Sequence, residues 1–301
     1  MPSMETTDVI AFANPVEPLA AASGSSYRVR RRPSVLPGFG VSAGITSLVV
    51  TALVVVPLAV LVLRAASLGP GGFVAAAWTP RARAAYGVSL GASLTAAMLS
   101  ALFGVLVAWV LARIRFPGRR LLDALVDVPL ALPTAVAGLV YSALYVEKGW
   151  VGRHLVPLGI HGAYSFLGIV LVLVFVSLPF AIRVVQPVIE SLDRDAEEAA
   201  RILGASRSQT FLRVVMPSIL PAVVTGFALS LARALGEYGS VVFISGNMPF
   251  KTEIAPVLIV ARLEEFAYAE ATAIAVVLLG LSLSLLVVVN LLQQRLARNA
   301  Q

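Results

Sequence analysis

The 301-residue chain contains no cysteine, so it has neither a disulfide framework nor a thiolate for catalysis or metal binding. Histidine is almost as scarce. His154 and His161 are the only two, both in one polar stretch, and a zinc site needs more ligands than that stretch offers. No HExxH pair and no GxxxxGK[ST] loop occurs; the nearest approach, Gly246 to Thr252, lacks the glycine before Lys251. Charge is also sparse, at 13% of residues against roughly 25% in soluble domains. These absences exclude a disulfide-stapled secreted domain, a zinc hydrolase and a chain with its own nucleotide-phosphate loop. What fills the sequence instead is apolar: 58% hydrophobic residues and a mean hydropathy of +0.90. That composition describes an integral membrane protein. The net charge of +7 is read as basic loops that orient the chain, not as a nucleic-acid surface.

Apolar intervals, free of charge except for Arg233 and Glu237 in the fifth, predict six spans of about 20 residues, enough to cross a hydrocarbon core of roughly 30 Å. They fall near Val41–Leu63, Tyr86–Ala112, Val128–Tyr145, Ser165–Ile182, Ser218–Ile244 and Ala271–Leu292. Pro57, Pro133 and Pro179 lie inside spans, where neighbouring helices can satisfy the freed backbone groups. Fifteen Lys and Arg fall on one side of this arrangement, among them Arg28, Arg30–Arg32, Arg113, Arg115, Arg119 and Arg120, and seven on the other. The richer side is expected in the cytoplasm, with both termini. Residues 1–33 read as a disordered cytoplasmic tail whose basic end meets lipid headgroups. Residues 34–301 form the membrane domain. The first apolar run begins some forty residues in and exceeds a signal-peptide core, so it reads as a retained helix.

One polar module interrupts the apolar chain between the fourth and fifth spans, over residues 190–217. It begins with the acidic run Asp193, Asp195, Glu197 and Glu198, favourable near a helix N-terminus. Glu197 and Arg201 stand four apart with the acid first, suiting an ion pair. Gly204 suits a left-handed C-terminal cap, and Ser206 with Gln209 forms a capping box. Phe211, Leu212, Val214 and Val215 give the second helix an apolar side, and Pro217 is expected to end it. The reading is helix, glycine turn, helix, then a new span.

These residues carry a resemblance. Glu198-Ala199-Ala200, three residues, Gly204, nine residues, then Val214-Val215-Met216-Pro217 is similar to the EAA loop of ABC importer permeases, EAA-x3-G-x9-I-x-L-P. Val for Ile and Met for Leu are apolar departures. The resemblance implies the type I importer permease fold: an all-α protein of six transmembrane helices with a cytoplasmic coupling-helix loop between the fourth and fifth. Glu198, Ala199, Ala200, Gly204, Val214, Met216 and Pro217 would then dock on an ATP-binding subunit and carry its closure into the membrane. Small Ala199 and Ala200 allow close approach, and a rigid two-helix knob transmits motion better than a flexible loop.

Three further stretches, FPGRRLLDALVDVPLALPTAVAGL, LARALGEYGSVVFISGN and KTEIAPVLIVARLEEFAYAEATAIA, resemble the sulfate/thiosulfate permeases of the bacterial inner membrane. The resemblance runs from about Leu36 to Leu292. It implies a complex: an ATPase dimer that binds ATP and Mg, a second related permease, and a periplasmic or lipid-anchored sulfate-binding protein. It implies no cofactor in this chain and no enzymatic reaction of its own. Molybdate permeases share the EAA loop and the ARALGE segment, so molybdate or tungstate is the alternative cargo.

Arg233 and Glu237 are an ionisable pair inside the fifth span, where each costs roughly 2.5–3.5 kcal/mol on insertion scales. They are candidates for a translocation path or gate favouring an anion, or for a structural pair. Asp123 and Asp127, beside Arg119 and Arg120, read as a solvated cytoplasmic face. Two other classes stand beside the importer: a stand-alone secondary transporter coupled through Arg233 and Glu237, and a membrane enzyme, for which the sequence offers no catalytic constellation.

Overall fold

The computed structural model describes residues 39–299; the expected tail at 1–33, with Arg28 and Arg30–Arg32, lies outside them. Among the described residues every regular element is helical. By contacts the chain divides into residues 1–52 and 53–301. The described part of the first contains α1 (Phe39–Val50), without a charge and without a buried residue. The second contains α2 (Val56–Ala66), α3 (Gly69–Ala77), α4 (Pro80–Arg113), α5 (Arg119–Val126), α6 (Val128–Ala131), α7 (Thr134–Tyr145), α8 (Gly152–Leu155), α9 (Phe166–Ser191), α10 (Arg194–Ile202), α11 (Arg207–Thr210), α12 (Met216–Leu235), α13 (Val241–Ile244), α14 (Ala255–Glu264) and α15 (Tyr268–Asn299).

Among the described residues five stretches are long and apolar enough to cross a membrane: Phe39–Ala66, Pro80–Arg113, Phe166–Ser191, Arg207–Leu235 and Tyr268–Arg295. A sixth forms only if two helical pieces, Arg119–Ala131 and Thr134–Tyr145, count together, and these meet at 108°. The third expected span is therefore broken. Its break is chemical: Pro133 clashes with a helical conformation at the residue before it, and Leu132 accordingly sits extended at φ −80°, ψ 130°. The fifth expected span, Ser218–Ile244, also fails as one helix, because α12 stops at Leu235 and the short α13 follows after a loop. The fourth runs past its expected end at Ile182, since Arg183 finds carboxylate partners that let the helix continue to Ser191.

The centre is built by α4, α9 and α12. Lipid tails are as apolar as leucine, so close backbone approach and interhelical hydrogen bonds must hold these helices. Ala181 of α9 is keyed between two glycines. A Cβ on Gly104 of α4 would lie 2.7 Å from the Ala181 Cβ, and one on Gly226 of α12 would lie 3.1 Å from its Cα. Polar atoms join the same three helices. The Ser100 and Ser177 hydroxyls are 2.9 Å apart, and Ser230 donates to the Ser177 carbonyl at 3.0 Å. Towards the Arg113 end, Leu111, Ile182, Ile189 and Ile219 close the core, all fully buried. At the other end Arg81 clamps buried Glu253 through two bonds of 2.8 and 2.7 Å, tying the start of α4 to the loop before α14.

Candidate functional site

The polar module folds as its local signals predict, up to its last residue. The Asp193 carboxylate caps α10 by accepting from the Asp195 amide at 3.0 Å. Gly204 takes the left-handed conformation at φ +84°. Around it the Gly204 amide donates to the Arg201 carbonyl at 2.9 Å and the Ala205 amide to the Ala200 carbonyl at 3.0 Å, closing the helix end. Ser206 and Gln209 complete the capping box at 3.3 and 2.8 Å.

Pro217 does not end the second helix. α11 passes through a π-helical turn, Phe211–Val215, directly into α12. There the Met216 amide reaches back five residues to the Phe211 carbonyl. The wider turn shifts the hydrogen-bond register just ahead of a residue that has no N–H to offer. The same device, Thr51–Val55, precedes Pro57. The module is thus continuous with a membrane helix and not merely attached to it.

Its two faces differ. Glu198, Ala199 and Gly204 are exposed, and beside them stand Ile202, Leu203 and Leu212 at 86, 87 and 62% exposure. Val214 and Met216 are partly covered, and Val215 is buried against the core. On the inner face Glu197 accepts from Arg113 of α4 at 2.7 Å, with both side chains about 13–14% exposed. The Arg113 guanidinium lies 5.6 Å from the Trp109 ring centre, and Trp109 meets Phe211 edge-on at 5.4 Å. The expected partner of Glu197, Arg201, is more distant at 3.9 Å. Arg113 is 84 residues away in sequence, beyond any local pattern, and reading spans from charge-free runs treats it only as a boundary mark.

Arg233 and Glu237 do meet: an Arg233 Nη1 donates to Glu237 Oε2. The pair does not lie along a helix as expected. It spans the C-terminal end of α12, so Glu237 sits in the loop beyond, 3% exposed. Its other oxygen accepts from both the amide and the hydroxyl of Ser240, each at 2.9 Å. This loop packs against α7. A Cβ on Gly138 would come within 2.2 Å of the Ser240 carbonyl, and one on Gly239 within 2.5 Å of the Thr134 hydroxyl. The two breaks in the expected spans therefore touch. The first turn of α7 has no side-chain cap, leaving amide donors and a positive dipole end against Gly239, in the loop that carries Glu237.

Asp123 and Asp127 are a correction. They do not form a free solvated face, for both bind Arg183 of α9. The contacts are 2.6 Å to Asp123, 2.6 and 2.9 Å to Asp127, and 2.9 Å to the Asp123 carbonyl. They retain 43 and 48% exposure. The clamp fastens α5, the arm before the break, to a central helix.

Residues 100–301 match the family of binding-protein-dependent transport system inner membrane components. The chain is 50% identical to the sulfate transport system permease protein CysT of Synechocystis sp., over 83% of this chain and 87% of that one. It is 47% identical to the protein of the same name in Escherichia coli K12, over 88% and 95%. The fold is also that of a chain in the solved structure of a bacterial alginate ABC transporter bound to its periplasmic protein. The TM-score is 0.70 at 19% identity, covering 86% of this chain and 95% of the other.

Proposed function

The chain belongs to the family of binding-protein-dependent transport system inner membrane components, and from that premise we propose that it is the permease subunit of an ATP-driven importer carrying sulfate or thiosulfate across the bacterial inner membrane. The observation that carries the cargo is the 50% identity, over 87% of its length, to a protein named as a sulfate permease. The drive comes from a separate pair of ATPase subunits, which take the ATP and magnesium. They dock on the exposed face of α10, α11 and the turn between them. Glu198, Ala199, Ala200 and Gly204 form that face, with Ile202 and Leu203 as its apolar contacts. Val214, Met216 and Pro217 lead the motion into α12. Two exposed isobutyl-sized side chains on a charged module support this reading, since such residues gain from burial against a partner.

A second, related permease completes the path, and a periplasmic or lipid-anchored protein delivers the anion. The module and both termini face the cytoplasm. The path runs past the two helix breaks. There Arg233 supplies positive charge and the uncapped start of α7 supplies amide donors, as discontinuous membrane helices do for anionic substrates. Glu237 holds Arg233 in place and keeps the site from binding a dianion too tightly to release. The discriminating experiment is uptake of radiolabelled sulfate in cells lacking their own sulfate permease but supplied with this chain and its partners. Competition by thiosulfate and not by molybdate supports the reading; stronger competition by molybdate than by unlabelled sulfate refutes the cargo.

A further inference from the structure

We propose that the Arg113–Glu197 pair is the strut that carries movement of the coupling module into α4, and that without it ATP hydrolysis and transport come apart. The inference rests on the reading of the module as the ATPase docking point.

The chain itself links the module to only two of the three central helices. α9 leads into α10 through Leu192 and Asp193, and α11 runs without a break into α12. A push on α10 therefore reaches α9 and α12 through the backbone. α4 has no such connection, yet it supplies the Ser100 and Gly104 contacts at the centre of the same core. If α9 and α12 moved while α4 lagged, the Ala181 key between Gly104 and Gly226 would have to shear. Packing that close has discrete arrangements and resists gradual sliding. That packing carries the middle of α4; the Arg113 end, nearest the module, needs a handle of its own.

Arg113 is placed for that. It is the last residue of α4, and among the described residues its one carboxylate partner is Glu197 on the inner face of α10, at 2.7 Å. α10 packs on α11 and the π-helical turn, so its bridge to α4 is made by side chains. The bridge is stiff. Trp109 backs the guanidinium, and Phe211 of the π turn backs Trp109 edge-on. Arg113 Nε is buried without an acceptor, so the guanidinium is held at one end by the carboxylate and across its face by the ring. A buried ion pair adds little net stability over an apolar substitute but is demanding in geometry. That is a poor means of stabilising a helix end and a good one for fixing its position. Glu197 directly precedes Glu198 on the docking face, so the two carboxylates divide the work: one turned outward, the other inward to the membrane helix.

The test uses the whole reconstituted importer with Glu197→Gln, Arg113→Glu, Glu197→Arg and the exchanged pair Arg113→Glu/Glu197→Arg. Co-purified ATPase, ATP turnover and sulfate accumulated are measured together. The singles are expected to hold the ATPase but to move about 2- to 30-fold less sulfate per ATP, the range for residues that carry coupling between sites. The exchanged pair should recover most of that loss. A merely structural role would lower complex yield and leave sulfate per ATP unchanged. Wild-type sulfate per ATP in the singles, or no recovery in the exchanged pair, overturns the strut. So does release of the ATPase by Glu197→Gln, which would place the pair in docking instead of transmission. Failure of the wild-type chain to bind any ATPase is a different result and overturns the docking reading itself.

Discussion

Gly204 separates backbone shape from side-chain bulk in the coupling module. Its φ of +84° lies in the left-handed region, and a Cβ built on it meets nothing within 4 Å. A substitution there causes no collision within the chain, so its cost is conformational. For an ordinary L-residue that cost is roughly 1–2 kcal/mol, enough to change the ratio of native to rearranged turn by about 5- to 30-fold. A β-branched residue costs more, whereas asparagine tolerates the conformation. The series Gly204→Asn, Gly204→Ala and Gly204→Val should therefore lose sulfate transported per ATP in that order, with Asn near wild type and Val worst. Reconstituted importers assayed for ATP turnover and radiolabelled sulfate give the ratio directly, and membrane insertion should be unaffected in all three. Asn and Val are of comparable size. If Asn is as damaging as Val, the loss follows bulk at the docking face and the backbone argument is wrong; if Val couples normally, the turn does not matter.

Four other perturbations follow from the packing. Gly138→Ala drives a methyl into the Ser240 carbonyl at 2.2 Å and should cost about 1–3 kcal/mol or more, read as a lowered unfolding midpoint in detergent. Gly87→Ala in α4, where nothing lies within 4 Å, should be neutral or gain up to about 1 kcal/mol. Arg233→Ala leaves Glu237, 3% exposed, without its cation and should destabilise by about 3 kcal/mol; adding Glu237→Gln should return part of that, and a wild-type unfolding midpoint and uptake for Arg233→Ala would show the charge to be dispensable. Arg183→Gln breaks contacts to two carboxylates, but all three side chains are a third to a half exposed, so solvent screening limits the expected loss to about 1 kcal/mol, checked by the same thermal assay.

Apolar spans and local capping were readable from the sequence; long-range pairing was not. Apolar runs located the five long helices because crossing a hydrocarbon layer demands them. The same criterion overlooked both breaks, since an apolar run continues through Leu132–Pro133 whether or not the helix does, and the fifth interval was carried across Arg233 and Glu237 to Ile244. A signal was present in each case. Pro133 forces the preceding residue out of helix, and two glycines flank Glu237 in GEYG. The turn at Gly204 and the box at Ser206 were legible because their hydrogen bonds span three to five residues. Pro217 misled because a π turn, set by register and not by composition, absorbs it. Arg183 with Asp123 and Asp127, and Arg113 with Glu197, join residues 56 to 84 apart, where only the fold brings charges together.

The most direct test of the account is a proteoliposome holding this chain with its second permease, the ATPase pair and the sulfate-binding protein. ATP is supplied on the ATPase side and radiolabelled sulfate on the binding-protein side. An ATP-driven importer is expected to show concentrative sulfate transport that requires hydrolysable ATP and every subunit, and that stops when the ATPase is omitted. Concentrative uptake by this chain without the ATPase, driven by an ion gradient, would contradict it.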